Sequence, residues 1–283
     1  MFEIIEHTLL DAVSLVPFLF LTYLVMEWLE HKAGKKAQKF MEKSGQYGPV
    51  WGSVLGAIPQ CGFSAAAANL YAGRVITMGT LVAIYLSTSD EMIPIMISEA
   101  VDPVTIVKIV ALKIVIGMAA GLLLDFMLPD KHDEHNHIHE MCEHEHCHCG
   151  EGKGIVRSAI THTLKITVFI LLITFILNLI LHNGGEDVIA DFLMNKPVIG
   201  PLVAGIVGLI PNCVSSVVIT RLYIEGAMSF GALMSGLLVN AGVGMLVLLR
   251  SNADRKEALK IIGIACGIGM VAGIIIDFMQ VAF

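Results

Sequence analysis

The sequence predicts an all-α membrane protein made of two inverted repeats. Each repeat is expected to hold three full transmembrane helices plus a broken helix or re-entrant hairpin. Three observations predict this. The 283 residues are 55% hydrophobic with mean hydropathy +0.76. Several apolar runs reach the roughly 20 residues that a helix needs to cross a bilayer. A stretch also occurs twice. GPVWGSVLGAIPQCGFSAAAANLYAG starts at Gly48 and GPLVAGIVGLIPNCVSSVVITRLYIEG at Gly200, an ungapped offset of 152 residues. The same offset carries Gly117 onto Gly269, Gly121 onto Gly273 and Asp125-Phe126-Met127 onto Asp277-Phe278-Met279. Such a repeat marks a duplicated membrane unit.

In order along the chain, residues 8–28 form the first expected span, after an acidic leader that does not resemble a cleavable signal peptide. Its exit carries Lys32, Lys35, Lys36, Lys39 and Lys43, which places that loop in the cytoplasm. Residues 48–72 follow, then apolar segments 76–98 and 104–128. After a polar loop the plan repeats at about 159–182, 198–222, 229–249 and 258–282. The expected organisation is a first membrane repeat over 1–129, a cytoplasmic His/Cys-rich loop over 130–154 and a second repeat over 155–283. Segment 48–72 is long enough to cross once as a proline-kinked span. Pro59, however, removes a donor and blocks a helix at its centre. Two arms of a re-entrant hairpin are the preferred reading. Arg74, the His-rich loop and the Arg250–Lys260 cluster then share the cytoplasmic side, with Glu99, Asp102, Glu186, Asp187 and Asp191 outside. The net charge of −7 says little about partners, because much of it sits in one loop.

Broken helices in inverted units are how many secondary transporters build a site at the bilayer midplane. The two Pro-Gln/Asn-Cys turns supply the first candidates. Gln60 and Asn212 offer donors and acceptors, and Ser64 and Ser216 lie one helical turn beyond. Cys61 and Cys213 should start the returning arms, where the helix dipole and free N–H groups favour a thiolate. Such a turn suits a cation held by sulfur and amide oxygen, or a small anion held by N–H groups. The plainer alternative is a kink in which Cys packs as a small apolar residue.

Ser87, Thr88, Ser89, Asp90 and Glu91 interrupt the apolar segment 76–98. Carboxylates and hydroxyls there are costly in a bilayer and mark a pathway. The second copy has Val239-Asn240-Ala241-Gly242-Val243 at the same offset, so only Asn240 is polar. Asp90 or Glu91 could ligate a hard cation or carry a coupling proton, unless both are solvated near the outer interface. Lys113, whose counterpart is Ala265, could pair with one of them.

The loop Asp130–Gly150 holds seven His, three Cys and six acidic residues. His132, His135, His137, His139, His144, His146 and His148, with Cys142, Cys147 and Cys149, suit borderline or soft divalent ions. The spacing matches no fixed zinc module, so a mobile collector or sensor of metal is expected.

The motifs IPQCG, STSDE and IPNC and the His-rich middle loop resemble the heavy-metal exporter family with ten membrane helices, whose members are called manganese transporters or arsenic efflux proteins. The resemblance spans almost the whole chain. Counting each hairpin as two arms gives five pieces per unit. The chain is more weakly similar to the organoarsenical permeases, which carry a Pro-Leu-Cys-Ser-Cys turn. Here each turn has one Cys, Cys61 or Cys213, so that chemistry carries over in part.

The leading functional expectation is a secondary transporter that exports a divalent transition metal across the cytoplasmic membrane of a prokaryote. Zn, Mn, Co or Ni would be substrate or loop ligand, with no tightly bound cofactor. Efflux of trivalent arsenic or organoarsenicals is the alternative, and Cys61, Cys213 and Cys266 are its only intramembrane thiols. A metal-sensing scaffold without transport is an alternative of another class. An enzyme is not expected: there is no GxxxxGK[ST] or GxSxG. The expected partners are the transported ion and the lipid bilayer. A homodimer is allowed and nucleic acid is not expected.

Overall fold

The computed structural model describes residues 47–58, 61–89, 92–128, 198–252 and 254–280, with scattered positions within 16–24 and 160–172. The expected spans 8–28 and 159–182 fall largely outside the described residues, and the His-rich loop falls wholly outside them. Among the described residues the chain is all-helical, with ten helices. The first five are α1 (Gly48–Gly56), α2 (Cys61–Ala72), α3 (Met78–Ser87), α4 (Met92–Ser98) and α5 (Pro103–Met127). The second five are α6 (Ile199–Gly208), α7 (Cys213–Ile224), α8 (Phe230–Val239), α9 (Gly244–Ser251) and α10 (Arg255–Phe278). The starts of α2, α3, α4 and α5 lie 152 residues before those of α7, α8, α9 and α10, so the sequence offset is also a structural one.

The matching residues make matching caps. Thr77 Oγ1 accepts from Thr80 N at 3.1 Å to start α3, and Ser229 Oγ accepts from Ala232 N at 3.2 Å to start α8. A carboxylate from the end of the following long helix completes each cap. Asp125 accepts from Thr77 Oγ1 at 2.7 Å and from Gly79 N at 2.8 Å. Asp277 accepts from Ser229 Oγ at 2.7 Å and from Gly231 N at 2.8 Å. The negative side chains lie against positive helix N-termini, a charge-assisted contact. The repeated Asp-Phe-Met triplet therefore fixes how a long helix meets the start of a short one.

The backbones meet closely at these points. A Cβ on Gly121 would lie 2.5 Å from the Gly79 carbonyl oxygen, and one on Gly273 would lie 2.5 Å from that of Gly231. Only glycine permits this approach. The same argument orders α1 and α6. A Cβ on Gly48 would strike Thr80 and one on Gly56 would strike Ser87, so α1 runs beside α3 in the same direction. Gly200 faces Ala232 and Gly208 faces Gly236, so α6 runs beside α8 in the same direction.

Four helical stretches are long and apolar enough to cross a membrane: Met78–Ser98, Pro103–Met127, Phe230–Ser251 and Arg255–Phe278. The first and third are each broken in the middle, the first at Thr88-Ser89 and the third at residues 240–243. They are also the buried ones, 75% and 94% against 33% for each unbroken helix. This follows from hydrogen bonding, because non-helical backbone at membrane depth must be enclosed by protein. The unbroken α5 and α10 present large apolar side chains outward, including Val107, Phe126, Val271 and Phe278. That is a lipid-facing surface.

Contacts between the two copies are polar at one end. α2 closes with a bond from Val75 N to the Leu70 carbonyl at 2.8 Å and with Arg74 at φ 56°; α7 closes alike, with Ala227 N to Leu222 and Gly226 at φ 73°. This is a Schellman closure, which favours glycine. Arginine holds the position in the first copy at a conformational cost of about 1 kcal/mol. Its guanidinium meets Glu257 of the second copy through Nη1–Oε1 at 2.9 Å and Nη2–Oε2 at 2.7 Å. Tyr71 Oη donates to the same carboxylate at 2.9 Å, Asn252 Nδ2 donates to it at 3.0 Å, and the Arg74 Cζ lies 5.1 Å from the Tyr71 ring centroid. Half-burial works against the guanidinium charge, but the pairing with Glu257 and Tyr71 outweighs it and raises the Arg74 pKa.

A double-mutant cycle with Arg74→Ala and Glu257→Ala should show a coupling of about 1 kcal/mol in thermal or denaturant unfolding at low salt, since the pair is bidentate yet partly exposed. The coupling should shrink in high salt. Additive effects of the two changes would mean that the pair does not join the copies.

Candidate functional site

The site is built where the two broken spans meet. α3 ends at Ser87, and Thr88 N closes it on the Ile84 carbonyl at 3.0 Å. α8 ends at Val239, and Asn240 N closes it on the Gly236 carbonyl at 3.0 Å. The two breaks occupy the same place in each copy. Thr88, Ser89, Met92, Ser216, Leu237 and Asn240 line one crevice there, too narrow in this conformation to admit a water molecule. Four of these, Thr88, Ser89, Ser216 and Asn240, are residues that the sequence singles out, and they come from both copies.

Hydroxyl chemistry at the first break is one-sided. Thr88 Oγ1 donates to the Ile84 carbonyl at 2.7 Å, and Ser89 Oγ donates to the Ser87 carbonyl at 3.1 Å. Ser87 Oγ likewise donates to Ile84, at 3.1 Å. A hydroxyl that has given its proton to a carbonyl presents only lone pairs, which is what a cation requires of an oxygen ligand. At the second break Asn240 holds the chain. Its Nδ2 donates to Ser215 Oγ at 3.1 Å, and its Oδ1 accepts from Gly242 N at 2.8 Å, where Gly242 turns at φ 52°. Asn240 is therefore both a wall of the crevice and the strut of its own break.

The helices that follow the proline turns support the opposite breaks. Ser64 of α2 is fully buried, and a Cβ on Gly244 would lie 2.8 Å from the Ser64 Cβ. Ser216 of α7 is buried in the crevice beside Met92, the residue that matches Gly244 in the other copy. Each copy thus lends its serine to the other's broken span. α1 and α6 end one residue before Ala57-Ile58-Pro59 and Leu209-Ile210-Pro211, because the residue before a proline avoids helical geometry. α2 begins at Cys61 and α7 at Cys213, so both cysteines do start these helices. Asn212 is buried, and its backbone carbonyl accepts from Ser215 Oγ at 2.7 Å.

Several expected site residues lie outside the described residues. They are Gln60, Asp90, Glu91 and all ten His and Cys positions of the middle loop, and the same holds for the side chains of Cys61 and Cys213. Among the described residues no group of three or more His, Cys, Asp and Glu could hold a metal. Cys266 is a free thiol on α10 that contacts Met270 Sδ at 3.9 Å. Sequence reasoning missed Tyr85, whose buried Oη donates to the Gly244 carbonyl at 2.9 Å and ties α3 to the second break. Lys113, expected from the sequence to pair with Asp90 or Glu91, is fully buried and reaches backbone carbonyls of both copies; the two acids lie outside the described residues.

No curated protein and no solved structure matches the chain. One family does match, over residues 1–184 and again over 154–282. These ranges cover nearly the whole sequence, both broken spans included, and the chain therefore belongs to the family described as "putative, 10TM heavy-metal exporter".

Proposed function

We propose that the chain is a secondary transporter that exports a divalent transition metal ion, with the cargo held in the crevice between the two broken spans. The observation that carries this is the meeting of both breaks at Thr88, Ser89, Ser216 and Asn240. Oxygen donors from two copies, enclosed at mid-span, suit a cation that must be stripped of water and then released. Asp90 and Glu91 follow Ser89 directly in the chain and would supply the negative charge. The absence of a nucleotide-binding loop leaves an ion gradient or a partner protein as the drive.

The reading includes opposite orientations for the two copies, each with a re-entrant hairpin, α1–α2 or α6–α7. Two sets of contacts support it. α1 follows α3 from Thr80 to Ser87, and α2 then leads back toward Thr77, the residue before α3. α2 in turn runs alongside α9 in the same direction: Ser64 lies by Gly244, Ser251 Oγ donates to Asn69 Oδ1 at 2.9 Å, and Arg74 meets Glu257. α3 therefore leaves the Arg74–Glu257 level while α9 approaches it. The nearby Arg250, Arg255, Lys256 and Lys260 make that level the cytoplasmic one. In this arrangement 1–129 and 155–283 are the two membrane repeats, and 130–154 is a cytoplasmic metal-collecting loop. An impermeant thiol reagent should leave Cys147 unlabelled in intact cells and label it in inside-out vesicles; external labelling would contradict the opposed orientation.

Efflux of trivalent arsenic is the second reading. It is favoured by one observation, the placing of Cys61 and Cys213 at the first positions of α2 and α7. The two readings differ in which variants fail. For a divalent metal, Asp90→Asn, Glu91→Gln and Thr88→Val should lower export tenfold or more, and Cys61→Ser and Cys213→Ser should be milder. For arsenic, which binds through sulfur, the order reverses. Export into inside-out vesicles with manganese, zinc, cobalt and arsenite reads that order. Wild-type rates in all five variants would remove the crevice and the turns as the transport site.

A further inference from the structure

We propose that the ammonium of Lys113 is a tethered cation filling a monovalent-cation site between the carboxyl ends of α3 and α8. Lys113 sits on α5 and is fully buried. Its Nζ donates to the carbonyl of Thr88, the residue that caps α3, and to the carbonyl of Leu237 in the last turn of α8, the latter at 3.0 Å. Last-turn carbonyls have no partner within their own helix, and they carry the negative end of its dipole. Two such ends, one from each copy, converge here on one positive charge, which is how interrupted helices hold a monovalent ion.

The arrangement is asymmetric. The counterpart of Lys113 is Ala265, which is also buried, so the duplication carries one amine rather than two. Both carbonyl owners, Thr88 and Leu237, line the crevice. The tethered cation therefore lies behind the crevice wall, bound to two residues that form it, and fixes the spacing of the two breaks. A chain that brings this cation covalently has no need to take one from solution at this point. Its breaks should keep their arrangement in the absence of sodium or potassium.

The test is thermal unfolding of the purified full chain in choline, sodium or methylammonium chloride at equal ionic strength. The wild type should unfold at the same temperature in all three. Lys113→Ala opens the site, so methylammonium or sodium should raise its unfolding temperature by roughly 2–4 °C over choline. A folded Lys113→Ala that responds to none of the cations overturns the proposal. Should Lys113→Ala not be recoverable, Lys113→Met carries the test, because it keeps the volume and lacks the charge. Wild-type stability in Lys113→Met overturns the proposal, whereas a loss restored in Lys113→Arg supports it. A second arm rests on the transport reading: export by the wild type under an imposed proton gradient should be unchanged when choline replaces sodium. If the wild type exports nothing, the transport reading fails, and the thermal arm still decides the role of Lys113.

Discussion

Backbone groups cannot be left bare at membrane depth, and the rest of this molecule is arranged around that constraint. Each copy interrupts a span, at Thr88-Ser89 and at 240–243, and each interruption releases carbonyls and amides that lipid cannot satisfy. The interruptions are enclosed instead. Thr88 and Ser89 hydroxyls bond back to carbonyls of the first break, and Asn240 folds onto Gly242 and Ser215 at the second. Tyr85 and Lys113 cross from the first copy to carbonyls of the second, those of Gly244 and Leu237. The broken spans must therefore be central and the continuous α5 and α10 peripheral, which is the observed distribution of burial. The close glycine contacts follow from the same need. Gly121 against Gly79 and Gly273 against Gly231 bring the long helices near enough to seal the short ones.

Duplication supplies the scaffold, and departures from it supply the chemistry. The caps built by Asp125 and Asp277 are the same to within 0.1 Å in each bond length. The polar groups at the centre are not the same. Thr88 stands opposite Asn240, Ser89 opposite Ala241 and Lys113 opposite Ala265. At one end Arg74 takes the place of a glycine and pairs with Glu257, whose counterpart is Thr105. The pin between copies therefore exists at one end and has no matching pair at the other.

Much of this was legible in the sequence. The 152-residue offset gave the two copies, and the helix starts repeat it. Pro59 and Pro211 gave the ends of α1 and α6, because proline acts through local geometry alone. The residues of the crevice were readable at Thr88, Ser89, Ser216 and Asn240, because hydroxyls and amides within apolar runs stand out. The breaks themselves were harder to see. Ser-Thr-Ser at 87–89 reads as an interruption, but Val239-Asn240-Ala241-Gly242 contains one polar residue and passes for helix. It breaks because Gly242 adopts a positive φ and Asn240 bonds to it, a choice fixed by packing in three dimensions. The reach of Lys113 was illegible for a similar reason. A sequence places it on an apolar helix, but only the fold brings Leu237 to it across 124 positions.

The account stands or falls on where the cargo rests. Anomalous diffraction from crystals of the full chain grown with manganese or zinc locates it directly. The account predicts a peak within ligand distance of oxygen atoms of Thr88, Ser89, Ser216 or Asn240, in addition to any metal on the His-rich loop. Metal on the loop alone, with no peak between the two breaks at saturating concentration, would contradict it.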